Sequence, residues 1–139
     1  VFPHISENIQ KINLHRNYCN AVPEWVGECS ELEELHIGFN CLVALPSSIG
    51  GLTKLRSLQL QGNELISMPN SLSSLVVLED LDMGGNKLRF WKDEDINSFL
   101  LSLGFLSKLR SFRLDINPLT QEQRILLNQN IPSKRVFRR

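Results

Sequence analysis

Apolar residues along the chain keep a fixed register. Leu32, Leu35, Ile37, Leu42 and Leu45, with Asn40 and Pro46 among them, return 23 residues later as Leu55, Leu58, Leu60, Leu65 and Met68, with Asn63 and Pro69. The same order is met before this pair in Ile9, Ile12, Leu14, Asn17, Cys19, Val22 and Pro23. It is met after it in Leu78, Leu81, Met83, Asn86 and Leu88, and again in Leu109, Phe112, Leu114, Asn117 and Leu119. Self-similarity at a fixed spacing means one structural unit copied along the chain. Within a unit, Leu35 and Ile37 alternate with Glu34, His36 and Gly38. That is the two-residue period of a short strand with one buried face.

Two stretches leave the period and predict helices. Asn86 and Asn117 are 31 residues apart, eight more than the regular spacing, and the stretch that holds the insertion reads DEDINSFLLSLGF. Ile96, Phe99, Leu100 and Leu103 recur there at helical spacing. Asp93 is the expected N-cap, Glu94 and Asp95 suit the positive end of the helix dipole, and Gly104 is the expected stop. Trp91 stands where Leu45 and Met68 stood, and Lys92 replaces the proline. Further on, Thr120-Gln121-Glu122-Gln123 matches a capping box. A helix should run from it to about Asn130, with Ile125, Leu126 and Ile131 packing back. Pro132 should end it, and 134–138 should form a last short strand.

The recurring L-x-x-L-x-L-x-x-N-x-L-x-x-L-P resembles the leucine-rich repeat family. The 23-residue period, with Pro46 and then Ile49-Gly50, is similar to the intracellular Ras-suppressor-like and plant Ras-group class, and similar repeats occur in bacterial effector and surface proteins. The resemblance implies an α/β fold, a right-handed β-α solenoid of about five repeats. Parallel strands would line its concave face and short 3-10 or α turns its convex face. The repeats fall at about 9–31, 32–54, 55–77, 78–108 and 109–119 of one domain, 1–139. The segment 120–139 is similar to the closing cap of such arrays. Trp25 is expected either to cover the core edge or to make an outward contact. The 93–103 helix is either a longer convex element or a second docking surface.

In such a coil the chain turns back after each strand and carries backbone polar groups into a dry interior. An unpaired one costs about 1–3 kcal/mol. An asparagine side chain offers both donors and an acceptor. Asn17, Asn40, Asn63, Asn86 and Asn117 are therefore expected to form a ladder; the plainer reading of each is a turn residue.

Composition narrows function by exclusion. The chain has 139 residues, with 15 Lys and Arg against 15 Asp and Glu, so its net charge is zero. A general nucleic-acid binder would show a basic excess. The longest mostly apolar stretch, 99–106, is too short to span a bilayer. No signal peptide is evident. The chain begins at Val1, which suggests that an upstream segment precedes it or that a partner covers the first repeat. Fraying, or self-association through that N-terminal edge, are the other readings. Cys19, Cys29 and Cys41 are odd in number and contain no C-x-x-C pair. That favours a reducing, cytoplasmic compartment and argues against a zinc site. Cys19 and Cys29 read as small core residues and Cys41 as exposed.

No hydrolase elbow, nucleotide-binding glycine run or metalloprotease motif is present. Asp80 and Asp82 are paired carboxylates on an open strand face, with no shielding to separate their pKa values. No catalytic, cofactor or metal residues are expected. Attention falls on the outward columns of the strands. One reads Asn13, His36, Gln59, Asp82, Arg113. Two columns further along lies Arg16, Phe39, Gly62, Gly85, Ile116. Interface energy concentrates in a few aromatic and arginine anchors, so the candidate partner-binding residues are His36, Phe39, Gln59, Asp82 and Arg113. Phe39 has an alternative role as cover for its own turn. The resemblance implies a non-catalytic module that binds a partner protein within a scaffold or signalling protein. The alternative is the targeting or recognition domain of a multidomain enzyme or bacterial effector.

Overall fold

The computed structural model describes residues 8–131. Five three-residue strands, β1 (Lys11–Asn13), β2 (Glu34–His36), β3 (Ser57–Gln59), β4 (Asp80–Asp82) and β5 (Ser111–Arg113), form one parallel sheet in the order of the chain. Their register places Lys11, Glu34, Ser57, Asp80 and Ser111 side by side. Two residues on lies the row Asn13, His36, Gln59, Asp82, Arg113. Between the rows the central residues point inward, and Leu35, Leu58, Leu81 and Phe112 are buried.

The first three strand exits lead through an asparagine turn to Pro23, Pro46 and Pro69, which send the chain outward in extended form. Short 3-10 turns follow at Glu24–Glu28, Ser47–Gly51 and Asn70–Ser74. They sit against one another closely. A β-carbon on Gly27 would lie 2.6 Å from the Ser48 carbonyl oxygen, and one on Gly51 would lie 2.6 Å from the Gly27 carbonyl. In the fourth repeat the turn is replaced by a helix, α1 (Asp93–Gly104), and a second helix, α2 (Gln121–Asn130), follows β5.

The asparagine ladder is present and has four rungs. Asn40, Asn63, Asn86 and Asn117 are buried. The Asn63 Oδ1 accepts from the Leu42 amide at 3.0 Å, and its Nδ2 donates to the carbonyls of Ile37 and Leu60 at 2.9 and 3.0 Å. Asn86 and Asn117 repeat this one turn later each. Asn17 departs from the expectation of a fifth rung. It is exposed, and its Nδ2 reaches only the His15 carbonyl of its own turn. It has no described preceding turn to bridge, so it serves as a receiving end, its amide donating to Asn40 Oδ1 at 2.9 Å.

Local expectations are corrected at the two helices. Asp93 is the first helical residue and Lys92 holds the cap position without a side-chain bond, because the first turn closes from the Asp95 amide onto the Lys92 carbonyl. Asp93, Glu94 and Asp95 all lie in that first turn. Gly104 is the last helical residue, one before the cap. Ile96, Phe99, Leu103 and also Ser102 are buried, while Leu100 is half-buried. Trp91 does not occupy the core position of Leu45. It is 78% exposed, with the Arg89 guanidinium 5.6 Å from its ring. Phe90 turns inward instead, 5.3 Å from Phe99, which in turn meets Phe112. The capping box of α2 is formed by Thr120 and Gln123 as expected. The residue that anchors α2 is Leu127, fully buried, whereas Ile125 is largely exposed. Leu126 is half-buried against the core and Ile131 is buried. The Gln123 side chain also donates to the Phe90 carbonyl at 2.8 Å, tying α2 to the fourth repeat. Pro132, the strand at 134–138 and the first seven residues lie outside the described residues.

Candidate functional site at the exit of the concave strands

The sheet leaves its outward row half exposed. His36, Gln59, Asp82 and Arg113 stand in adjacent register on β2 to β5. Gln59 Nε2 donates to Asp80 Oδ2 at 2.9 Å and to Ser57 Oγ at 3.1 Å. Asp82 Oδ1 accepts from the Gly84 amide at 2.9 Å, which fixes the carboxylate at the strand exit. Arg113 spans two carboxylates, 4.0 Å from Asp82 and 3.4 Å from Asp115.

Just past the strands, the residue before each ladder-position asparagine takes a left-handed backbone, and in the first turn Tyr18 does so as well. The residues before the asparagines are Arg16, Phe39, Gly62, Gly85 and Ile116, with φ of 57°, 55°, 70°, 63° and 57°. The turn before each ladder asparagine imposes that conformation. Glycine adopts it freely, whereas a residue with a β-carbon loses roughly 1–2 kcal/mol. Phe39 is 45% exposed and Ile116, which is β-branched, is 81% exposed. Phe39 does not cover its own turn. Its ring lies over Gly62 of the next repeat, where a β-carbon would come within 2.5 Å of it. It packs edge-on against His15 of the preceding repeat at 5.2 Å, with the Arg16 guanidinium 4.5 Å from its centre.

Phe39 and Ile116 thereby bound a groove of about 630 Å³. Gly62, Gly84 and Gly85 form its floor, and Gln61, Asp82, Arg113, Asp115 and Arg124 also line it. Of the five residues singled out from sequence, Phe39, Asp82 and Arg113 meet there. His36 and Gln59 stay outside it, on the open sheet. Gln61, Asp115, Ile116 and Arg124 were missed. The glycines at 62 and 85 carried the usable signal: they mark the left-handed position, and Ile116 shares their column.

Among the described residues no group of three or more His, Cys, Asp or Glu is placed to hold a metal ion. No described helix is long and apolar enough to cross a membrane. Cys29 is fully buried and its Sγ faces the Trp25 carbonyl at 3.7 Å. Burial, and then the charge of Glu28, push its thiol pKa above the ordinary 9.0. Cys19 is half-buried and Cys41 exposed, and all three thiols are free. Trp25 is partly exposed, at the border between cover and contact.

The sequence model of the family described as Leucine rich repeat matches residues 7–65 and, in a second register, 30–88. The chain belongs to the leucine-rich repeat family. Solved structures share the fold. This leucine-rich repeat chain superposes on a Leptospira interrogans LRR protein with a TM-score of 0.72 at 23% identity, covering 93% of this chain and 37% of that one. An internalin from Listeria monocytogenes gives 0.64 at 25% identity, covering 84% and 31%. The SNF/U2A′ complex of Drosophila melanogaster gives 0.68 at 20% identity, covering 91% and 71%. The chain thus spans about a third of the length of the first two. Comparison with curated proteins gives no match.

Proposed function

We propose that this leucine-rich repeat domain is a non-catalytic recognition module that binds a partner protein on its concave strand face. The observation that carries this is the row His36, Gln59, Asp82, Arg113, held in register beside the exposed Phe39. An open face with fixed polar groups and one aromatic anchor is the makeup of a protein interface. It has none of the enclosure that acid–base chemistry needs. One similar structure, the SNF/U2A′ assembly, is itself a complex. The similar bacterial proteins are much longer than this chain. That supports a role as the recognition part of a larger scaffold, signalling protein or effector. Three free thiols, one of them in the core, fit a reducing compartment.

The test is a pull-down from a lysate of the source cells, with captured proteins identified by mass spectrometry. Wild-type domain is compared with the double variant Phe39→Ala, Asp82→Ala. Loss of a captured protein by about tenfold or more, with the fold intact by circular dichroism, is the expected result. Equal recovery would refute the concave-face reading and direct attention to the outer side of α1.

A further inference from the structure

We infer that α2 is a latch: it opens and melts as one unit while the five-stranded array stays folded, and Gln123 holds it shut. Its closing sets one wall of the groove, because Arg124, next in the chain, lines the groove from α2. The concave face thus has two forms, with that wall and without it.

The helix is thinly rooted by its own burial. Of its ten residues Leu127 alone is buried, Leu126 is half-buried, and Ile131 is buried just beyond. The twelve residues of α1, by contrast, bury Ile96, Phe99, Ser102 and Leu103. Ten residues are also fewer than the roughly 12–15 that a helix needs to stand alone in water. So α2 is folded when docked and melted when released, which makes it a two-state element. Segments that bury few apolar groups sit at the low end of the range of local opening energies.

The coils do not need α2 to satisfy their backbone. Asn117 bonds the Leu88 amide and the carbonyls of Met83 and Leu114, all in the fourth and fifth repeats. The Leu119 amide closes on the Asn117 carbonyl at 2.8 Å. The ladder is therefore complete before α2 begins. The polar fastenings of α2 lie in its first turn. Gln123 makes two bonds with one amide group. Its Oε1 accepts from the Thr120 N–H at 3.1 Å, and its Nε2 donates to the Phe90 carbonyl at 2.8 Å. The first bond starts the helix. The second fastens it to the fourth repeat, at the residue whose ring packs on Phe99 of α1. The Arg124 guanidinium reaches instead to within 3.5 Å of the Asn117 and Leu119 carbonyls, beside the groove. Adjacent side chains thus supply the fastening and the wall, and neither keeps its place once the helix lifts. A partner that touches Arg124 binds the shut form and shifts the population toward it.

The experiment is hydrogen exchange of the ¹⁵N-labelled chain, read by heteronuclear correlation spectra across low urea concentrations. The amides of α2, and that of Ile131 bonded to the Leu127 carbonyl, should share one opening with one urea dependence. That opening should be at least about tenfold more frequent than the one that frees the Leu42, Leu65 and Leu88 amides, which are bonded to the ladder. Gln123→Glu keeps the capping acceptor and loses the donor to Phe90. It should speed α2 exchange about threefold to tenfold and leave the ladder amides unchanged. Gln123→Ala loses both bonds and should speed it further. In each chain the Arg124 Nε–H should exchange in step with α2. Exchange of α2 only together with the ladder amides would overturn the latch. So would rates graded residue by residue from Asn130 inward, which is fraying. Unchanged α2 exchange in Gln123→Glu would overturn the part given to the Phe90 bond. An Arg124 Nε–H that stays protected while α2 opens would overturn the link to the groove. None of these readings involves a partner, so the pull-down tests the concave-face proposal separately.

Discussion

Replacing Asn63 by alanine should be far more damaging than replacing Asn17, although the two occupy the same place in their repeats. Asn63 is 4% exposed, and its side chain makes three bonds to the backbone of two turns. The carbonyls of Ile37 and Leu60 each have a second asparagine donor, Asn40 at 3.1 Å and Asn86 at 3.0 Å, so each keeps one bond after the substitution. The Leu42 amide keeps none. Leaving that donor buried and unpaired costs about 1–3 kcal/mol, and weakening each carbonyl about 0.5–1.5 kcal/mol more. The expected loss is therefore about 2–6 kcal/mol, a large part of the roughly 5–15 kcal/mol that holds a typical domain together. Asn17→Ala removes one exposed bond within a single turn, and its effect should stay within about 0.5 kcal/mol. Urea titration followed by tryptophan fluorescence measures both, with Trp25 reporting the first repeat and Trp91 the fourth. At a slope of about 1–3 kcal/mol per molar urea, the Asn63 variant should lose at least about 0.7 molar in midpoint. Asn63→Asp should be no better than alanine, since it turns an oxygen toward two carbonyls. Equal shifts for the Asn17 and Asn63 variants would refute the ladder as the element that holds the turns together.

Three further outcomes are expected. Ile116→Gly should raise the melting temperature slightly, because relief of about 1–2 kcal/mol of left-handed strain exceeds the roughly 0.5–1 kcal/mol of added chain entropy. A loss of more than 1 kcal/mol would make Ile116 a packing residue and not an exposed wall. At pH 8, Cys41 should react fast with a thiol reagent and Cys29 only on unfolding. Cys29 has its pKa raised in the folded state, so its contribution to stability is complete below the unfolded value of 9.0 and is lost as pH climbs through the folded value. The stability of wild type should then decline above pH 9 more steeply than that of Cys29→Ala, and parallel curves would contradict the burial of the thiol.

What the sequence made legible, and what it hid, divides along physical lines. Where the 23-residue period holds, counting residues is enough. Strand register, inward leucines and four of five asparagines follow from position alone, because each turn meets only its neighbours. Counting fails where the period breaks. After Asn86 either Phe90 or Trp91 can turn inward, and the choice is made by Phe99, nine residues beyond Phe90 on an inserted helix. Ile125, Leu126 and Leu127 are three consecutive apolar residues. The capping box fixes where their helix starts, but docking on the last coil decides that Leu127 faces in. The groove was half visible. Phe39, Asp82 and Arg113 were drawn from strand columns and hot-spot chemistry, whereas Ile116 required knowing that its column is left-handed.

The helix that interrupts the fourth repeat has a geometric consequence for the inner face. Neighbouring strands stay about 4.7–4.9 Å apart, while packed helices need about 8–10 Å between axes. Substituting the 12-residue α1 for a slim 3-10 turn therefore acts as a keystone. It packs on the third 3-10 turn, Asn70–Ser74, so its extra width spreads the outer circumference where the third and fourth repeats meet. Gln59 on β3 and Asp82 on β4 stand on either side of that junction, on the inner face opposite the wedge.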